Sequence, residues 1–339
     1  MNDKELRSFF KGKRILVTGG TGSVGSEIVK QILEYNPDVV RIFDNDETGL
    51  FNLKEELKNL KKSYNKTRYL LGDVRDIDRL RWAVRNIDII FHAAALKHVP
   101  LCENNPFDAV KTNVIGTQNV IEVAMEMGLE RMVTISTDKA VNPVNVMGAT
   151  KLLAERLTIS ANLYKGDEPT LFSCVRFGNV LDSRGSVIPI FREQIKKGGP
   201  LTLTDREMTR FVMSLSQAVE LVLKATTTMD GGEIFILKMP RINIADLAEV
   251  MIETTSPLYG HDPSSIKITN LGIRDGEKMH EELITKEEAS NAIETESMYI
   301  IHQKSVTKGP KLIDIETLKN SKFLDKSEIK NIIFKAGKK

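Results

Sequence analysis

Arg14-Ile15-Leu16-Val17-Thr18-Gly19-Gly20-Thr21-Gly22-Ser23-Val24-Gly25 is an apolar run of strand length that breaks into a glycine-rich turn. The amphipathic run Ser26 to Leu33 follows, so the stretch reads as strand, turn and helix. Glycines at 19, 22 and 25 permit a tight turn, close approach of a pyrophosphate to the backbone, and close packing of the helix on the sheet. The amino terminus of the helix adds an anion site. Gly19, Thr21, Gly22, Ser23, Val24 and Gly25 are therefore the expected contacts of a bound dinucleotide.

Reading outward, Val39-Val40-Arg41-Ile42-Phe43 is a second strand ending at Asp44. An acid about 20 residues past the glycines suits the adenosine ribose diol, which favours NAD; NADP stays possible because Arg41 is near. The other role open to the acidic stretch after Phe43 is to cap a helix from Thr48 to Lys62. Arg68 to Gly72 is a third strand, with Asp73 and Val74 expected beside the adenine. Ile87 to Phe91 is a fourth, followed by His92, read as a packed histidine, and by Ala93, Ala94 and Ala95, small enough for a cofactor to lie against backbone. Lys97 and His98 then stand at a strand mouth, as substrate contacts or as a solvated loop, before a helix from about Pro106 to Met127. This alternation predicts an α/β fold, a Rossmann-type doubly wound parallel sheet.

After Val175 the alternation loosens. The expected organisation is a dinucleotide-binding domain over 1–175, an interleaved and smaller substrate-binding region over 176–302, and a Lys-rich tail over 303–339 with an amphipathic segment from Lys326 to Phe334. Residues 1–13 read as a leader or docking helix. A composition 41% apolar and 28% charged is that of an ordinary globular protein, and a net charge of +2 gives no electrostatic reason to expect nucleic acid or an anionic membrane as partner. Cys102 and Cys174 are too few for a disulfide framework, and no Cys/His cluster has metal-ligand spacing, so no metal is expected. With no signal peptide and no apolar run of about 18 residues, the expectation is a soluble, cytoplasmic protein without a membrane span.

The chemistry is expected at Thr137, Asp138 and Lys139, where the buried strand Arg131 to Ser136 ends. Open α/β sheets bind ligands at that edge, and an acid beside a base there can divide proton transfers between them. The plainer alternative is a solvated ion pair. On the helix after Pro143, Met147 and Lys151 are four apart and share a face. Met147 has no ionisable proton, so either the proton transfers fall to Thr137, Asp138 and Lys139, or Met147 is core packing and the chain is inactive.

Five ordered motifs now stand together: His92-Ala93-Ala94-Ala95-Leu96-Lys97-His98-Val99-Pro100, Thr137-Asp138-Lys139-Ala140, Val175-Arg176-Phe177-Gly178-Asn179-Val180, Met208-Thr209-Arg210-Phe211 and Gly272-Ile273-Arg274-Asp275-Gly276-Glu277-Lys278. With them the chain resembles the extended short-chain dehydrogenase/reductases, with Met147 where a Tyr-x-x-x-Lys element has its tyrosine. More narrowly it resembles the UDP-N-acetylglucosamine 4,6-dehydratases of the polysaccharide-biosynthesis family, from Gly19 to about Glu288.

The resemblance implies a redox-neutral dehydration of a UDP-sugar for surface-glycan synthesis, using NAD or NADP. Lys139 is implied as base at carbon 5, with a pKa depressed by the nicotinamide and Lys151, and Asp138 as acid at carbon 6. Thr137 would hold the carbon-4 oxygen and Lys151 the nicotinamide ribose. Asn179, Val187, Thr202, Arg210, Arg274 and Glu277 are the implied substrate contacts, along with Lys97 and His98. The resemblance also implies a homodimer or larger homo-oligomer through helices at about 105–127 and 145–165. Met147 leans the expectation toward retained configuration at carbon 5, with inversion as the alternative. The rivals are a UDP-hexose 4-epimerase, which needs no acid at carbon 6, and an inactive NAD(P)-sensing scaffold.

Overall fold

The computed structural model describes residues 3–60, 64–303 and 321–336. Its strands are β1 (Arg14–Thr18), β2 (Val39–Asp44), β3 (Thr67–Leu71), β4 (Ile89–His92), β5 (Arg131–Thr137), β6 (Leu171–Phe177), β7 (Asn179–Val180), β8 (Leu201–Leu203), β9 (Thr209–Met213), β10 (Ile234–Leu237), β11 (Arg241–Asn243), β12 (Ile268–Asn270), β13 (Ala292–Glu294) and β14 (Met298–Ile301). Nine of them form one sheet of order β13-β14-β10-β6-β5-β4-β1-β2-β3. The run from β10 to β3 is parallel throughout, and only β14 and β13 are antiparallel. Strand order reverses at β1, which pairs β2 on one side and β4 on the other. A doubly wound sheet opens its ligand crevice at that point.

The helices are α1 (Asp3–Phe10), α2 (Ser23–Glu34), α3 (Glu47–Asn59), α4 (Ile77–Val84), α5 (Val99–Asn104), α6 (Pro106–Ala109), α7 (Gly116–Glu126), α8 (Val146–Tyr164), α9 (Val187–Lys196), α10 (Leu215–Thr228), α11 (Ile244–Thr255), α12 (Lys286–Ala289) and α13 (Lys326–Ala336). Side chains alternate along β1, so Ile15 and Val17 join one core with Ile28 and Ile32 of α2 and Leu53 and Leu57 of α3. Leu16 joins the opposite core, with Leu80 and Val84 of α4 and Val120 and Ala124 of α7. Each such burial of a Val, Leu or Ile side chain contributes roughly 1.5–3 kcal/mol relative to exposure. The two faces together hold the edge of the sheet in register for the site. α1 is a docking helix: Leu6 and Phe10 are buried in the first core.

The smaller region has a core of its own, in which Ile188 and Phe191 of α9 meet Leu247 and Met251 of α11. β11-β9-β7 and β12-β8 cover it, and the chain then returns to the main sheet as β13 and β14, so the two regions are interleaved. Of the Lys-rich tail, residues 304–320 lie outside the described residues. Its described part closes on the smaller core through Leu324 and Ile329, which includes the helix read over 326–334.

The helix read over Pro106 to Met127 is interrupted by a π-helical stretch at Val110–Ile115. The wider turn carries Asn113 inward, where Oδ1 accepts from the Leu96 N–H (2.8 Å) and Nδ2 donates to the Leu96 carbonyl (3.0 Å) and Thr150 Oγ1 (3.0 Å). One side chain thus fixes the loop after β4 against α8.

Candidate active site

The turn after β1 is held by contact. Gly19 has φ +64°, and a Cβ there would stand 2.5 Å from the Ala94 nitrogen. A Cβ on Gly25 would stand 2.2 Å from the Gly19 carbonyl oxygen. Gly22 caps α2 with no side-chain hydrogen bond, which leaves the first N–H groups of the helix for an anion. Asp44, at the end of β2, turns inward and accepts from the Thr21 N–H (2.9 Å) and hydroxyl (2.7 Å). The helix cap belongs to Asp46, which accepts from the Gly49 N–H.

Asp73 is held by Arg75 and Asn45, and the Arg75 guanidinium keeps its carboxyl below the usual carboxylate range. Val74 is buried beside Gly116. Ala93 to Ala95 follow β4 along the glycine turn. His92 lies beneath them, 1% exposed, between Thr18 and Thr117. Since Thr117 donates its own proton to the Asn113 carbonyl (2.7 Å), His92 Nε2 donates to Thr117 and Nδ1 accepts from Thr18. Burial pushes its pKa down to about 3, so it is a neutral packing group. Close glycine packing, an uncapped helix start and an inward Asp44 together fit a dinucleotide at this crevice.

At the end of β5, Asp138 is fully buried in a short 3-10 turn, Asp138–Ala140. Its Oδ1 accepts from the Thr137 hydroxyl (2.9 Å) and from Lys139 Nζ (3.0 Å), while Oδ2 is buried without a partner. Lys139 Nζ is also 3.5 Å from Glu281 Oε1. Burial alone favours the neutral amine at Lys139, but Asp138 and Glu281 outweigh it and hold the pKa above the ordinary lysine value. The chain's own residues around Lys139 thus favour its ammonium form, whereas the depression expected from the sequence was assigned to a bound nicotinamide and Lys151.

Lys151 Nζ donates to the Ile135 carbonyl (2.6 Å), and burial lowers its pKa. Met147, one turn earlier on α8, is buried with Cys102 and Ala109.

The segment Gly272 to Glu282 runs alongside this turn. Asn145 donates to the Gly276 carbonyl (2.7 Å), Lys278 to the Val141 carbonyl (2.7 Å) and Asn142 to Glu282 (2.7 Å). Arg210 is buried on β9, donates to the Thr209 and Met279 carbonyls, and lies 3.8 Å from Glu277. Thr204 donates to Glu277 (3.3 Å). Asn179 Oδ1 is buried without a partner, Val187 opens α9, and Thr202 accepts from Gln194. Arg274 is exposed. Lys97 donates to the Arg184 carbonyl (2.6 Å), and the His98 ring packs on Gly185. Arg184 in turn donates to Ser23 Oγ (3.0 Å) and to the Thr21 carbonyl, linking this loop to the glycine turn. Two residues of the site escaped the sequence reading, Glu281 and Asn113. Each looked like an ordinary polar position on a helix or in a charged stretch.

A doubly wound sheet with a glycine turn at its switch point, a Thr-Asp-Lys turn at the end of β5 and Lys151 on the following helix define an extended short-chain dehydrogenase/reductase. Within that class the chain belongs to the polysaccharide biosynthesis protein family, whose model matches residues 15–303. It is 59% identical over 330 residues to an uncharacterized membrane protein of Methanocaldococcus jannaschii, covering 97% of this chain and 98% of that one. It is 44% identical over 310 residues to a UDP-N-acetylglucosamine 4,6-dehydratase (inverting) of Campylobacter jejuni, covering 91% of this chain and 86% of that one. A UDP-glucose 4-epimerase of Rickettsia canadensis is 38% identical over 339 residues, with 96% of each chain covered. Among solved structures, Pen from Bacillus thuringiensis superposes with a TM-score of 0.88 at 46% identity, over 96% of this chain and 98% of that one. Among the described residues, no helix is long and apolar enough to cross a membrane.

Proposed function

We propose that this chain dehydrates UDP-N-acetylglucosamine to a UDP-4-keto-6-deoxy sugar and inverts carbon 5. The observation that carries the reading is the buried Asp138 carboxyl, with one oxygen held by Thr137 and Lys139 and the other without a partner. An elimination across carbons 5 and 6 needs an acid and a base of this kind at one strand mouth. The sequence leaned toward retention. The Campylobacter relative is named as inverting, and that name moves the proposal to inversion.

NAD or NADP, when bound, supplies reversible hydride acceptance, so that hydride leaves carbon 4 and returns to carbon 6. The glycine turn and the start of α2 would hold its diphosphate, Asp44 the adenosine ribose, and Lys151 the nicotinamide ribose; the carboxylate at Asp44 favours NAD. Thr137 holds the carbon-4 oxygen and passes its proton to Asp138 Oδ1. The amine of Lys139 then takes the proton from carbon 5, which the 4-ketone has made acidic. Asp138 gives its proton to the carbon-6 hydroxyl, which departs as water. Arg210 and Arg274 suit the substrate diphosphate, because guanidinium forks match phosphate oxygens, and Glu277 suits the uridine ribose. The working unit in this proposal is a homo-oligomer.

The test is mass spectrometry of UDP-N-acetylglucosamine incubated with the purified protein without added cofactor, where loss of one water is expected. An unchanged mass after repeats with NAD and then NADP would remove the reading. NMR of the product formed in deuterated water should show the L-arabino 4-keto sugar, and a retained configuration would return the stereochemistry to the original expectation. The Rickettsia relative favours a second reading, 4-epimerisation, which leaves the mass unchanged and alters the anomeric NMR signals.

A further inference from the structure

Glu281 lies beside Asp138 and Lys139, and the proposed reaction gives it no part. It is 5% exposed, with Oε1 3.5 Å from Lys139 Nζ and Oε2 buried without a partner. Lys139 therefore stands between two carboxylates, Asp138 at 3.0 Å and Glu281 at 3.5 Å. The charged groups facing Glu281 are Lys139 and Asp138 from the 3-10 turn, Arg210 from β9, and Lys278 from its own segment. Burial outweighs the cations and pushes the Glu281 carboxyl above the ordinary glutamate range.

A count of protons gives this carboxyl a task, on the dehydratase reading above. Asp138 and Glu281 favour the ammonium of Lys139, which must shed a proton before its amine can take one from carbon 5. The carbon-4 hydroxyl releases a second proton as the ketone forms. Position 147 is methionine and accepts neither. Two protons thus need two acceptors, and two buried carboxylates face the lysine. Asp138 hands its proton to the departing hydroxyl, so the other proton resides on Glu281.

We propose that Glu281 is a positioning residue that acts through Lys139 as the second proton store of the site, taking the proton that turns the ammonium into the basic amine. In this step the Nζ–H bond breaks and an Oε1–H bond forms, with no change in the net charge of the buried cluster. The amine then takes the carbon-5 proton, the carbon–hydrogen pair becomes the carbon 5–carbon 6 double bond, and the carbon 6–oxygen bond breaks as Asp138 protonates the hydroxyl. After hydride returns to carbon 6, one of the two protons then held by Lys139 and Glu281 passes to carbon 5 and the other stays on Lys139, which restores the ammonium and two carboxylates of the resting cluster.

The experiment compares wild type, Glu281→Gln and Glu281→Asp by dehydration rate between about pH 7 and about pH 9.5, with UDP binding as the check on folding. Near neutral pH, Glu281→Gln should lose at least about tenfold in kcat. The loss should shrink as pH rises, because Lys139 can then release its proton to solvent. Glu281→Asp should fall between wild type and Gln with the same pH trend, and it decides alone if the Gln variant no longer binds UDP. A loss equal at every pH, or no loss, overturns the proton store. A wild type that does not dehydrate the sugar overturns the functional reading, and the proton store with it.

Discussion

Lys139 sits 3.0 Å from Asp138 and 3.5 Å from Glu281 in a buried cluster, so its removal should separate chemistry from binding. Lys139→Ala is expected to lower dehydration by about 10²–10⁴-fold, the usual contribution of a positioned acid or base. Nucleotide released from the denatured variant should match wild type, because Lys139 touches none of the glycine turn's contacts. The glycines predict the opposite split. A Cβ at Gly25 would press within 2.2 Å of the Gly19 carbonyl oxygen, whereas at Gly22 it would stand 3.1 Å from the same atom. Gly25→Ala should strip bound NAD(P) from the purified protein and Gly22→Ala should strip less, as read by the same nucleotide assay. At this scale the sequence was readable where the chemistry is contiguous. Thr137, Asp138 and Lys139 are neighbours in the chain, and their place at the mouth of the sheet follows from the strand that ends beneath them. Glu281 meets them only because the segment from Gly272 folds back onto the turn, and in one dimension it is a glutamate beside another glutamate.

The elements that bring that segment back are tied by one arginine. Arg176 of β6 is fully buried, donates Nε and Nη2 to Glu155 of α8 (3.0 and 2.7 Å), and donates Nη1 and Nη2 to Glu288 of α12 (2.9 and 3.0 Å). Nη1 also reaches the Leu283 carbonyl, two residues beyond Glu281. Removing one partner of a buried, hydrogen-bonded ion cluster leaves uncompensated charge, so Arg176→Met should cost about 3–5 kcal/mol in denaturant unfolding. Burial raises the pKa of Glu288, but its bonds to Arg176 outweigh that and hold it below the ordinary glutamate value. A carboxyl lowered on folding stabilises the protein above its unfolded pKa, and that contribution is lost as pH falls through the folded value. Wild type should therefore lose stability on acidification below the ordinary glutamate range, and Glu288→Gln should show a flatter acid limb in thermal melts. Arg176 opens the span expected to be the substrate-binding region, yet its five donated hydrogen bonds end on Glu155, Glu288 and Leu283. Strand positions such as Ile15, Leu16 and Val17 were legible as an unbroken apolar run of strand length. The π-helical stretch that turns Asn113 inward was not, because one extra residue per turn leaves no mark on the apolar pattern.

At the scale of the whole molecule, the large apolar side chains left in water bear on the proposed homo-oligomer. Leu101 of α5 is 61% exposed and Phe107 of α6 is 80% exposed, and both helices pack against α8, which exposes Leu153 and Tyr164. Single exposed apolar residues are ordinary, but such a group on adjoining helices suits association between copies of a chain. The sequence pointed to helices at about 105–127 and 145–165 through family resemblance; which side chains face outward could be read only from the packed helices. The proposed homo-oligomer then has a specific consequence. Light scattering on the eluting protein should give at least twice the chain mass for wild type, and Phe107→Glu combined with Leu153→Glu should give a single chain. Neither side chain is in the core, so thermal unfolding of that variant at low concentration should stay close to the separated wild-type chain. Its dehydration rate should fall, because α8 also carries Lys151 and begins just beyond the turn that holds Asp138 and Lys139. A wild type that elutes as one chain at every concentration would remove this surface from the account and leave the residues of the site where they are.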